Sequence, residues 1–205
     1  MSRRQGIEMT QLIFATGNAG KMREIREILK DMPLEVKSMK EAGIYVDVVE
    51  DGTTFEENAL IKARAIHAVS GGIVLADDSG LVVDYMDGMP GIYSARFMGE
   101  DTSYDIKNQA IIDALEKAEG EERSARFVCA IAAVLPDGSE RIVRATMEGR
   151  IGYEIAGENG FGYDPIFYLP EYGKTSAEIS PEEKNEISHR GKALRLMKEQ
   201  LKEAL

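Results

Sequence analysis

Apolar positions along the chain fall into two patterns, short unbroken runs and runs spaced at helical intervals. Residues 11–15 (QLIFA) form an unbroken run that predicts a first strand. Met22, Ile25, Ile28, Leu29 and Met32 then recur at the spacing of one helix face, after the loop Thr16-Gly17-Asn18-Ala19-Gly20-Lys21. Residues 34–38 predict a second strand. Thr54-Phe55-Glu56-Glu57 reads as a capping box opening a helix through Ile61, Ala65 and Val69, with Gly71-Gly72 as its stop. Thr102 is placed to cap a helix whose inner face is Ile106, Ala110, Ile111, Ala114 and Leu115. Residues 125–135, the Pro136-Asp137-Gly138 turn and residues 141–147 predict a hairpin of two long strands. Ser180-Pro181-Glu182-Glu183 is a second capping box, with proline at the favoured first helical position. Ser188-His189-Arg190 then opens a final amphipathic helix carrying Leu194, Met197 and Leu201.

The polar interruptions of this pattern are where chemistry is to be sought. Residues 73–84 read IVLADDSGLVVD, which predicts one strand ending at two carboxylates and a second starting at Leu81. Two buried carboxylates at such a corner need partners, because unpaired buried charge is costly. They either cap a turn or hold a cation. The loop at residues 16–21 sits ahead of a helix start, whose free N–H groups and partial positive charge suit a phosphate. Lys21 adds a full charge there. The loop lacks the spacing and the Ser or Thr of a Walker A motif, so a tight turn and a phosphate cradle both remain open. Glu50 closes an acidic stretch ahead of the helix that carries Lys62, and reads in isolation as a solvated loop residue. Phe161-Gly162-Tyr163-Asp164-Pro165 would suit stacking on and reading a flat ring, or serve as a packed loop. A His-Arg pair at a helix start is electrostatically awkward, and an anion or a carbonyl-bearing ligand would relieve it.

Bulk properties narrow the setting. At 205 residues, 43% hydrophobic and 30% charged, the chain suits a single soluble domain of one or two lobes. No stretch is long and apolar enough to cross a membrane, and the first residues do not resemble a secretory signal. The single cysteine, Cys129, lies in an apolar run, which fits an inert buried thiol and a reducing cytoplasm. Two histidines and one cysteine make a structural zinc site improbable. A net charge of −11 argues against general binding to nucleic acid or anionic membranes. It leaves room for a small phosphate ligand if cations gather locally or a divalent metal helps.

Taken together, ATGNAGKMREI, FEENALIKARA, LADDSGLVVD, GMPGIYSARF, GFGYDPIF and EKNEISHRGKAL resemble the inosine triphosphate pyrophosphatase family, which hydrolyses non-standard purine nucleoside triphosphates. The likeness runs from Ala15 to Leu194 in the family's order, leaving residues 1–8 as an N-terminal extension of a single 1–205 domain. The resemblance implies an α/β fold: an elongated mixed central β-sheet flanked by helices, with two lobes and the active cleft between them. It implies that Thr16, Gly17, Asn18, Ala19, Gly20 and Lys21 hold the triphosphate with Lys62, and that Glu50 and Asp78 ligate magnesium. Asp78 would also activate the attacking water, and Ser79 would touch the nucleotide. Phe161, Gly162, Tyr163, Asp164, Lys174, His189 and Arg190 would enclose and read the base. The implied protein is a cytoplasmic homodimer whose partner is a purine nucleoside triphosphate such as ITP, dITP or XTP. Two other readings stay in view: a pyrophosphatase for pyrimidine or other modified nucleotides, and a nucleotide sensor without turnover.

Overall fold

The computed structural model describes residues 8–205, so the expected N-terminal extension lies almost wholly outside the described residues. Its chain order is β1 (Thr10–Phe14), α1 (Ala19–Ile28), β2 (Leu34–Ser38), α2 (Phe55–Ser70), β3 (Ile73–Val83) and α3 (Tyr104–Ala114), followed by β4 (Ser124–Val134), β5 (Glu140–Ile151), β6 (Phe167–Leu169), β7 (Lys174–Thr175), α4 (Pro181–Ile187) and α5 (His189–Ala204). Among the described residues the strands make one mixed sheet in the order β2-β1-β3-β4-β5-β6-β7. The fold is α/β, and no helix among the described residues is long and apolar enough to cross a membrane. The chain divides into two units, the first made of residues up to Asp78, Ala130–Val143 and Ala193–Leu205, the second of Ser79–Cys129 and Arg144–Lys192.

In the first unit β1 pairs in parallel with β2 (Leu12↔Val36) and with β3 (Ile13↔Val74), each link crossing over through a helix. A strand flanked on both sides reads as an unbroken apolar run, as Leu12-Ile13-Phe14 does. Asn18 caps α1, its side-chain oxygen accepting Lys21 N–H at 3.0 Å. That helix stops at Ile28, short of the expected Met32, because Met32 precedes Pro33 and such a residue is driven out of the helical region. Thr54 caps α2 by accepting Glu57 N–H, and Gly71 at φ +61° ends it. Only half of the expected capping box forms: the Glu57 carboxylate reaches past Thr54 and takes both the N–H and hydroxyl of Thr53. Ile13, Ala59, Ala63, Ile66, Val74 and Ala132 belong to this unit's apolar core.

The second unit has its own core, built on Leu81, Val83, Ile111, Phe127, Met147, Ile151 and Phe167. Buried Arg123 ties it together, donating to the carbonyls of Leu115, Ala118, Ile151 and Gly152. The β4–β5 hairpin forms as expected, with β5 running past Met147 to Ile151. The inner face of α3 differs from the expectation. Ser103, not Thr102, is its cap, since the Thr102 hydroxyl donates to Met98 O instead. Ile111 and Leu115 are buried as expected, but Ile106 turns out to 54% exposure and Lys107 and Asn108 turn inward. Near the C-terminus the Ser180–Glu183 capping box is complete, and Leu194, Met197 and Leu201 of α5 are buried.

The largest departure from expectation is at Asp77-Asp78-Ser79. No turn separates two strands there; β3 continues through all three residues. The backbone can stay extended because each carboxylate finds its own environment, one on either face of the strand.

Candidate active site

Successive side chains of a strand leave opposite faces, so Asp77 and Asp78 are neighbours in sequence but not in surroundings. Asp77, 2% exposed, accepts from Lys21 Nζ at 2.8 Å. Its main-chain carbonyl accepts from Lys62 Nζ at 3.0 Å. One residue therefore holds the lysine of the glycine loop by its side chain and the lysine of α2 by its backbone. Lys62 Nζ also lies 3.3 Å from Glu50 Oε1, an ion contact without hydrogen-bond alignment. Glu50 is thus drawn out of the acidic loop toward α2 and is not a freely solvated residue.

Asp78 has a different setting. Burial first, then the nearby Glu50 charge, push its carboxyl up to about 6, while a hydrogen bond from Asn58 and the Lys62 charge pull it back. Asn58 is 2% exposed, and its side-chain oxygen is taken by Gly52 N–H at 2.8 Å, which leaves its amide NH2 as the donor toward Asp78. The sequence reading missed Asn58. Its signal was there in the FEENALIKARA segment, four residues before Lys62 and so on the same helix face. Thr16 orders the loop by accepting Asn18 N–H at 3.1 Å, while Gly17, Asn18 and Ala19 are exposed. A side chain added at Gly17 would meet nothing within 4 Å, so there is open room beside this helix start. Ser79 follows Asp78 in the strand and is half-buried.

Among the described residues no three His, Cys, Asp or Glu side chains cluster as a metal cage. A magnesium ion does not need one, because it keeps several waters and takes substrate phosphates as ligands. Glu50 and Asp78 fit that demand: both offer hard oxygens, and Asp78 Oδ2 is a buried carboxylate oxygen with no hydrogen-bond partner.

In the second unit the expected base-reading residues separate into two kinds. Phe161 is 59% exposed, with Lys184 Nζ 5.3 Å and Arg190 Cζ 5.7 Å from its ring centroid. Its ring and the two cations present an open aromatic face with positive charge beside it. Tyr163 is instead a packed residue, its hydroxyl donating to Ser94 O and its ring edge-on to Tyr104; burial pushes its pKa up. Asp164 is 2% exposed, and its carboxylate is already engaged by Lys184, Ser176 and Phe161 N–H. The carboxylate folds back so closely that a side chain at Gly160 (φ +72°) would run into it. Asp164 therefore shapes the loop, and Gly162 (φ +65°) turns it.

Lys174 does not join this group. It is exposed on β7, opposite Leu169. Lys184 stands where Lys174 was expected, and its ion pair with Asp164 spans twenty residues, which no local pattern reveals. His189 is 8% exposed and stacks on Phe127 at 5.0 Å. The awkward start of α5 is eased by Ser188, whose hydroxyl accepts Gly191 N–H at 3.0 Å.

Residues 12–200 match the sequence model of the Ham1 family. The chain belongs to the Ham1 family. A Ham1 relative from Clostridium perfringens named dITP/XTP pyrophosphatase is 48% identical over 200 residues, covering 95% of this chain and 98% of its own. One of the same name from Caldanaerobacter subterraneus is 50% identical, covering 93% and 96%. A solved HAM1 protein from Coxiella burnetii superposes with a TM-score of 0.89 at 40% identity, covering 95% of this chain and all of that one.

Proposed function

We propose that this Ham1 protein hydrolyses the non-standard purine nucleoside triphosphates dITP, ITP and XTP to the monophosphate and pyrophosphate, with magnesium as cofactor. The observation that carries the reading is the gathering of Lys21, Lys62, Glu50 and Asp78 at the paired aspartates of β3. Relatives bearing the dITP/XTP pyrophosphatase name at nearly full coverage support it. Thr16, Gly17, Asn18, Ala19 and Gly20 present the start of α1 to phosphate oxygens, and Lys21 and Lys62 offset their charge. Ser79 touches the nucleotide beside them. Asp78, poised near neutral pH by burial, accepts the proton of the attacking water. The water oxygen bonds to the α-phosphorus as the bond to the departing pyrophosphate breaks. Bound at Glu50 and Asp78, magnesium would neutralise phosphate charge and lower the pKa of a ligated water. The exposed Phe161 ring stacks on the base, Arg190 donates to its 6-carbonyl, and His189 and Lys184 flank it.

A phosphate-release assay coupled to inorganic pyrophosphatase tests the reading across a nucleotide panel. Hypoxanthine and xanthine carry a 6-carbonyl where adenine carries an amino group, so a donor there is left unpaired by adenine. The expected result is that ITP, dITP and XTP exceed ATP by at least about a hundredfold in kcat/KM. Arg190→Ala should lower the ITP value sharply and leave the poor ATP rate nearly unchanged. Equal loss for both would remove the base-reading role. The same reading carries a cytoplasmic homodimer, which light scattering on the purified protein tests.

A further inference from the structure

The buried face of α3 is polar where packing alone would favour leucine. Lys107, Asn108 and Ile111 are its buried residues, and Tyr104, 38% exposed, continues the same stripe at i, i+3, i+4 and i+7. Lys107 and Asn108 are each 1% exposed. The Lys107 ammonium donates to Ala95 O at 2.9 Å and lies 4.8 Å from the Tyr104 ring centroid. Asn108 donates from Nδ2 to Gly162 O at 3.1 Å, and its Oδ1 is buried without a hydrogen-bond partner. A buried acceptor left unsatisfied costs stability, so Asn108 is a poor choice if its task is only to fill space.

The bond it makes falls on a decisive peptide. Gly162 is the left-handed residue that turns the chain between the exposed Phe161 ring and buried Tyr163. Within the loop, Asp164 holds Phe161 N–H at 3.0 Å, and Ser176 and Lys184 hold that carboxylate in turn. The Tyr163–Tyr104 edge contact and the Tyr163 hydroxyl on Ser94 O fix the far side of Gly162. Asn108 holds the Gly162–Tyr163 peptide, one residue on from Phe161, with a side-chain bond from a helix outside the loop.

We propose that Asn108 is a positioning residue that sets the Phe161 ring through the Gly162 carbonyl, and thereby sets affinity for the purine base. This rests on the base-reading role given above to Phe161. The Lys107–Ala95 bond and the Tyr104–Tyr163 pair anchor the same helix to the same neighbourhood, so the stripe works as a fixed wall for the loop.

Asn108→Leu is the informative variant. It keeps the branched shape with some gain in volume, removes the donor to Gly162 O and removes the orphan oxygen, so the folded state should survive with a modest change in Tm. A residue that only filled space would then leave kinetics unchanged. The expected result is a KM for dITP raised roughly threefold to tenfold, the worth of one hydrogen bond, with kcat altered by less than about twofold. Inhibition by inosine monophosphate should weaken by the same factor, and inhibition by inorganic pyrophosphate should not change. An unchanged dITP KM, or equal weakening of both inhibitors, overturns the assignment. If the leucine variant does not fold, Asn108→Ala is read by the same ratios. Failure of the underlying reading looks different: wild-type protein would then show no preference for dITP over dATP. Preference in the wild type with no response at position 108 removes the Asn108 assignment alone.

Discussion

Asp78 carries a cost that its neighbour does not. Its carboxyl is held near 6 chiefly by burial and by the Glu50 charge, against an ordinary 3.8. Between about pH 4 and 6 the folded protein keeps a proton that the unfolded chain has lost. In metal-free buffer stability should therefore fall as pH rises through that window and level off above it. Asp78→Asn should flatten this slope and raise Tm above pH 6, while lowering kcat by at least roughly a hundredfold through loss of the base. Thermal melts in EDTA from pH 4 to 8, beside initial rates, check both halves. A variant that lost stability and activity together would mark Asp78 as a structural acid. Asp77→Asn should cost less in kcat, because that carboxylate serves by holding Lys21. A reversal of the two would exchange their roles.

The helices and most strands could be read from the chain because their signals are local. Asn18, Thr54 and Ser180 each cap the helix they precede, and residues 11–15 and 34–38 form strands within a residue of expectation. What could not be read depends on distant partners. The Lys21–Asp77 pair joins residues 56 positions apart, and without it two adjacent aspartates look like a turn. Lys184, paired with Asp164 twenty residues away, hid from view for the same reason, and Lys174 was expected instead. On α3 the error was one of phase, since the apolar residues alone fit two faces and Lys107 had to be seen buried to choose. That choice has a measurable consequence. Ile111→Ala should destabilise by about 2–5 kcal/mol, and Ile106→Ala by well under about 1 kcal/mol, in urea denaturation. Comparable losses at both positions would return Ile106 to the core.

For the whole molecule, a net charge of −11 sets the terms on which it can meet a triphosphate. Two lysines beside β3 do not offset four negative charges, so turnover should need magnesium and vanish in excess EDTA. Calcium should support little, since its larger and looser coordination shell misplaces the attacking water. Robust rates in EDTA would remove the two-carboxylate metal site. A last consequence follows from how the chain is divided between its units. The first unit holds the glycine loop and both lysines near the N-terminus, yet it also includes Ala193–Leu205. Leu194, Met197 and Leu201 are buried there, and Lys198 pairs with Asp31 at 2.7 Å. A ribosome building this protein makes the phosphate-handling residues well over a hundred residues before the helix that completes their unit. The nascent N-terminal half must therefore wait, unfinished, until residues 193–205 have been made. Cutting the chain after Lys192 should leave that half unable to hold its fold, although every residue that would touch phosphate is still present.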